Sequence, residues 1–284
     1  MTPDSSLSQA VRERYAEAAR LALTTNTTSC CGGTSGCGQS SAPLSIDPIT
    51  SNLYDEDQTP FDGALAASLG CGNPTALIEL QPGEHVLDLG SGGGLDVLLS
   101  ARRIAPDGIA YGLDMTPEMH QLAQKHQAEA GVTNAEFMVG SIEDIPMADS
   151  SVDVVISNCV INLSHDKDAV LAEAYRVLRP GGRFAVSDIV LLRDIPTELT
   201  KVVSLWTGCI SGALRDVAYV AKLHSAGFLD ASTEVTRSYD RAELEAMSEY
   251  IDPAQLPSDM TLAEAIQALD GAFASAFIRA RKPL

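Results

Sequence analysis

His85-Val86-Leu87-Asp88-Leu89-Gly90-Ser91-Gly92-Gly93-Gly94 reads as a β-strand running into a glycine-rich turn that opens a helix at Leu95. Glycines in such a turn admit positive φ angles and let the backbone come close to a ligand. Dinucleotide-binding folds carry a similar turn, and two residues separate the cases. Their pattern sets a third glycine where this chain has Leu95, with a pyrophosphate at the helix start. Asp88, two residues before the turn, repels a pyrophosphate and suits a ligand with an ammonium group.

Outward from this stretch, residues 84–183 alternate strand and helix, the pattern of a parallel sheet covered on both faces. Strands are expected at His85–Leu89, Ile109–Asp114, Ala135–Val139, Val152–Ser157 and Arg183–Asp188. Helices are expected over Leu95–Arg103, from Pro117 (with Thr116 as N-cap) to Gly131 just past the end, and over Asp166–Val177. Asp114 ends the second strand, where a carboxylate accepts hydrogen bonds from ribose hydroxyls. Met115 adjoins it. Ser141-Ile142-Glu143-Asp144 follows the third strand and suits an adenine edge. S-adenosylmethionine, with its ammonium and sulfonium, fits this series, and Asn158 is a candidate for its methionine end.

Before the alternating region, residues 7–23 have helical periodicity, and Thr24–Pro43 is a Thr/Ser/Gly-rich stretch carrying Cys30, Cys31 and Cys37. Such a composition buries little and reads as a mobile loop. After Asp188 the alternation loosens. Helices are expected around Thr197–Cys209, Val217–Ser225 and Arg241–Tyr250, and strands at Ser232–Tyr239 and Ala274–Lys282. The last strand should rejoin the sheet. Three regions follow: residues 1–60, an N-terminal helix and Cys-rich segment; 61–190, the cofactor-binding part; and 191–284, a sheet-completing appendage. Tyr54 is a candidate to cover the cofactor or to pack. His85 and His165 read as structural and surface residues, and Trp206 as a core residue near Cys209.

A formal net charge of −19 over 284 residues repels phosphate backbones and anionic lipid, so neither nucleic acid nor a membrane is an expected partner. No run is apolar enough to span a membrane and the first twenty residues lack a signal pattern, so a cytoplasmic location is the expectation. In that setting the six cysteines read as thiols rather than a disulfide framework.

The glycine turn, Asp88, Asp114 and Leu178-Arg179-Pro180-Gly181-Gly182 together resemble the class I, Rossmann-like S-adenosylmethionine methyltransferases. The resemblance implies an α/β fold with a seven-stranded sheet. It also implies a cofactor site drawn from Tyr54, Asp88, Gly90, Ser91, Gly92, Asp114, Met115, Ile142, Glu143 and Asn158.

Three cysteine segments carry a narrower resemblance. Leu69-Gly70-Cys71-Gly72-Asn73-Pro74, Ser157-Asn158-Cys159-Val160-Ile161-Asn162-Leu163 and Trp206-Thr207-Gly208-Cys209-Ile210-Ser211-Gly212-Ala213-Leu214 are similar, in this order, to segments of the arsenite methyltransferase branch. That resemblance implies that Cys71, Cys159 and Cys209 bind trivalent arsenic and are the candidate catalytic residues. A fourth member comes from the Cys30-Cys31 pair, of which Cys31 is taken. The implied substrate is arsenite or its thiol conjugate, with a thiol reductant such as glutathione or thioredoxin as partner. The chemistry agrees, because trivalent arsenic is soft and prefers thiolate to oxygen ligands. Cys159 also falls at the carboxyl end of the fourth strand, where open parallel sheets bind ligands. A small-molecule carbon or oxygen methyltransferase of the quinone-biosynthesis type is the alternative, and would make the cysteines incidental. A zinc module is disfavoured, since Cys30-Cys31-x5-Cys37 lacks paired Cys-x2-Cys spacing.

Overall fold

The computed structural model describes residues 3–24, 78–196, 199, 212–247, 256–257 and 260–284. Cys30, Cys31, Cys37, Tyr54, Cys71, Trp206, Cys209 and most of the helix expected at Thr197–Cys209 lie outside them.

Among the described residues eight strands form one sheet: β1 (His85–Leu89), β2 (Ile109–Asp114), β3 (Ala135–Val139), β4 (Val152–Asn158), β5 (Leu178–Leu191), β6 (Leu214–Arg215), β7 (Leu229–Ser238) and β8 (Phe273–Arg281). Their order is β3-β2-β1-β4-β5-β8-β7, with the two-residue β6 pairing alongside β5. β1 to β5 run parallel, and β8 enters antiparallel between β5 and β7. The path therefore has the seven strands expected, and the short β6 is an addition.

Parallel strands buried on both faces need apolar residues on both sides. Leu87, Leu89, Val155, Phe184 and Val186 pack under two helices, α4 (Lys167–Val177) and α5 (Asp216–Ser225). On the opposite face, Val86, Val154 and Ile156 meet α2 (Leu95–Ile104). α3 (Pro117–Ala130) docks α1 (Pro3–Thr24) through Ala19, Met119 and Leu122, with an Arg20–Glu118 ion pair alongside. Past β7, α6 (Arg241–Met247) and α7 (Leu262–Leu269) build a smaller core around Leu244, Ile266, Leu269 and Phe273. Cys159 belongs to that smaller core.

Several local expectations change. Thr116 makes no side-chain cap. Its N–H instead donates to Asp114 Oδ1 at 2.8 Å, so the strand-end carboxylate receives the orphan donor. β5 begins at Leu178, before the Pro-Gly-Gly run, because Leu178 pairs with Val152 and the Gly182 carbonyl accepts the Lys282 N–H at 2.9 Å. α7 was not anticipated, although Thr261 and Glu264 form a reciprocal capping box at its start.

Candidate active site

A cleft of about 450 Å³ opens at the carboxyl ends of β1, β2 and β3. Gly90 and Gly92 supply its floor, both with positive φ (76° and 48°). A Cβ on Gly90 would sit 2.4 Å from a Val160 methyl carbon, so the turn and the segment after Cys159 touch with no room to spare. A Cβ on Gly92 would meet nothing, which leaves that backbone open to a ligand. Behind the turn, buried His126 donates from Nδ1 to the Gly93 carbonyl at 2.8 Å.

Asp114 also lines the cleft, its carboxylate held by the Gly92 N–H at 3.0 Å and the Thr116 N–H at 2.8 Å. Burial raises its pKa, and these backbone bonds oppose the rise. Asp88 lies beneath the turn, 3% exposed. Burial first, then the nearby Asp96 and Asp114 carboxylates, push its pKa well above the usual range. Three carboxyl groups held this close in a buried site oppose one another's ionisation, and a bound cation would favour the charged form.

Among the expected cofactor residues, Gly90, Gly92, Asp114, Met115, Ile142 and Glu143 line the cleft. Asp88, Ser91 and Asn158 do not. Ser91 is part of the turn, Asp88 and Asn158 lie at the carboxyl ends of the strands that lead to it and to Cys159, and Asn158 Nδ2 donates to Asp96 Oδ2 at 3.4 Å. Glu143 accepts from both Ser141 and Ser164, and His165 Nδ1 stands 3.7 Å from it.

Cys159 follows directly on β4. Its φ of 59° puts a side-chain-bearing residue in the left-handed region, a conformation that costs about 1 kcal/mol and collects at functional sites. Its N–H donates to the Ser187 carbonyl at 2.8 Å, and its side chain is 2% exposed. Cys159 is disulfide-bonded, where the sequence led to the expectation of a reduced thiol.

A methyltransferase-domain family model matches residues 80–243, more than half the chain and the whole of this cleft apart from α1. The chain belongs to the methyltransferase-domain family. The chain is 41% identical to the arsenite methyltransferase of Halobacterium salinarum over 244 residues, 81% of this chain and 61% of that one. It is 40% identical to the arsenite methyltransferase of Aquipseudomonas alcaligenes over 203 residues, 68% of this chain and 56% of that one. The crystal structure of an arsenic(III) S-adenosylmethionine methyltransferase from Chlamydomonas reinhardtii superposes with a TM-score of 0.59 at 30% identity, covering 83% of this chain and 72% of that one. The methyltransferase thus spans roughly three fifths of the length of the curated relatives it matches.

Sequence reasoning placed a helix over residues 7–23 but not its position along the cleft. Arg12 and Tyr15 of α1 line it, as do Val160, Leu163, Ser164 and His165 on the far wall. The last four sit in or beside a segment already singled out for Cys159. Arg12 and Tyr15 give no such signal, because only the docking of α1 on α3 brings them there.

Proposed function

We propose that this methyltransferase uses S-adenosylmethionine to methylate trivalent arsenic held by the thiolates of Cys71, Cys159 and Cys209. The observation that carries the reading is Cys159. It is a strained, buried cysteine at the carboxyl end of β4, with its neighbour Val160 against the glycine turn. A nitrogen or oxygen acceptor gives no use for a cysteine so placed.

The residues fit the cofactor. The open backbone at Gly92, the pinned Asp114 carboxylate and the buried Asp88 match a ligand with a diol and an ammonium group. When bound, the cofactor supplies an electrophilic methyl group on a sulfonium. Asp114 would hold the ribose and Asp88 the ammonium, while Ile142 and Glu143 take the adenine side. Asn158 joins this site to the cysteine next to it. The thiolates displace arsenic's hydroxyls, leave its lone pair free and exclude water, so no general base is required.

Ligation of arsenic by Cys159 requires its disulfide to be reduced first. A thiol reductant, such as glutathione or thioredoxin, delivers two electrons and two protons to return both thiols and is itself oxidised to a disulfide. The surface charge of −19 supports a reading without nucleic acid or membrane partners, in the cytoplasm. Among the described residues no helix is long and apolar enough to cross a membrane.

Incubation of the reduced protein with arsenite and methyl-labelled S-adenosylmethionine should give labelled methylarsenicals. Label appearing in a quinone or amine acceptor instead, with none in arsenic, would overturn the proposal.

A further inference from the structure

We propose that Arg176 is a positioning residue for the cofactor, fixing the loop between β3 and β4 so that Ile142 and Glu143 stand against the adenine. The inference rests on the reading of those two residues as the adenine side of the cleft.

Arg176 sits in the last turn of α4, and its guanidinium reaches a loop 27 to 31 residues earlier in the chain. All five of its N–H groups have acceptors. Nε donates to Glu173 Oε1 at 2.7 Å and one terminal nitrogen to Glu173 Oε2 at 2.7 Å, a two-pronged pair within the helix. That same nitrogen donates to the Ile145 carbonyl at 2.8 Å. The other donates to the Met147 carbonyl at 2.8 Å and to Asp149 at 2.7 Å. Glu173 completes the ring, because its Oε2 accepts the Ile145 N–H at 2.8 Å. Ile145 thus has both backbone groups bound by one ion pair.

The bridge to Asp149 contributes little, since that side chain is 77% exposed and such a pair is screened by water. The bonds to backbone groups are different, because they decide where the chain runs.

The loop residues that line the cleft lie between two anchors. On one side the Gly140 N–H donates to the Asp114 carbonyl at 3.0 Å, which ties the loop to the strand end carrying the cleft's carboxylate. On the other, Arg176 and Glu173 hold Ile145, two residues past Glu143. Pro146 folds back over the first anchor, and a Cβ on Gly140 would stand 3.3 Å from its ring carbons. Ile142 and Ile145 both enter the core beside Leu113. Ser141 and Asp144 pair across the short arc that remains. A shift of the Ile145 anchor must therefore move Ile142 and Glu143, the two side chains of this arc proposed to face the base. Lysine could not replace the guanidinium, because its three donors on a point charge cannot serve five acceptors.

The test compares S-adenosylhomocysteine with S-inosylhomocysteine, in which hypoxanthine replaces adenine. Adenine's amino group donates to a carboxylate such as Glu143, whereas the hypoxanthine carbonyl oxygen at the same position repels it. Calorimetric titration of the whole chain should therefore show a preference for S-adenosylhomocysteine. Arg176→Lys should lose about tenfold in affinity for S-adenosylhomocysteine, the worth of one charged hydrogen bond, and less for the inosyl ligand, so the preference narrows. Glu173→Ala removes the Ile145 N–H acceptor and should narrow it likewise, and it serves in place of Arg176→Lys if that variant does not fold. A variant that keeps the wild-type ratio, whether both affinities fall together or neither falls, overturns the inference and makes the network a brace for the fold alone. A wild-type protein without the preference overturns the adenine-side reading and the inference with it. Arsenic takes no part in these titrations, so a protein that shows the expected pattern but methylates no arsenite sinks the proposed acceptor and leaves the inference standing.

Discussion

At the scale of single residues, the site's acids make the sharpest claims. Burial and two nearby carboxylates raise the Asp88 pKa well above the usual carboxylate range, which favours its protonated form. A cationic cofactor needs it ionised, so binding should release a proton and tighten as pH rises through the raised range. Calorimetry in two buffers of different ionisation enthalpy should show that release, and Asp88→Asn should abolish it. Asp114→Ala should weaken S-adenosylmethionine by about 1–3 kcal/mol, because it removes charged hydrogen bonds; unchanged affinity would refute the ribose assignment. Ligand counting separates the cysteines. Arsenite has three hydroxyls to displace and a monomethyl arsenical two. Product analysis should find that Cys71→Ser loses arsenite methylation and keeps that of the monomethyl species, whereas Cys159→Ser and Cys209→Ser lose both. Both acids and Cys159 were legible in the sequence because strand ends fix where such side chains can act. The left-handed backbone at Cys159 was not, since nothing in a cysteine announces a positive φ.

At the scale of elements, strong periodicity told true. β1 to β4 and the helices between them lie within a residue or so of expectation, since β1 and β4 are largely apolar on both faces and each helix is bounded by Gly, Pro or a cap. Weakly patterned pieces were less visible. β6 has two residues and exists because β5 offers a partner. α7 was passed over despite its Thr261–Glu264 box, because its eight residues hold too few turns for a clear period. α1 was seen as a helix but not as a wall of the cleft, since docking on α3 is a tertiary event. Ala19, fully buried against Met119 and Leu122, is the place to test that role. Ala19→Glu buries an unpaired charge and should undock α1. Cofactor affinity should then fall about five- to tenfold, the worth of roughly one lost contact, with the melting of the sheet nearly unmoved.

At the scale of the whole molecule, one acid shapes stability. Burial pushes Asp188 up to about 8, whereas in the unfolded chain its pKa is ordinary, about 4. Between those values the unfolded chain has released a proton that the native protein keeps, so the contribution of Asp188 to stability is full below about pH 4 and is lost as pH rises toward 8. Asp188→Asn should flatten that decline and stabilise the protein at pH 7 by several kcal/mol, read from denaturant melts at a series of pH values. The place of β8 governs how the molecule is made. β5 and β7 have left the ribosome before β8, the partner both require, has been translated. For that interval β5 presents an unfilled edge running through Phe184, Val186 and Val190, a template for pairing with another nascent chain. Its yield in a cell should therefore depend on chaperones that shield the growing polypeptide until residue 273 and beyond emerge.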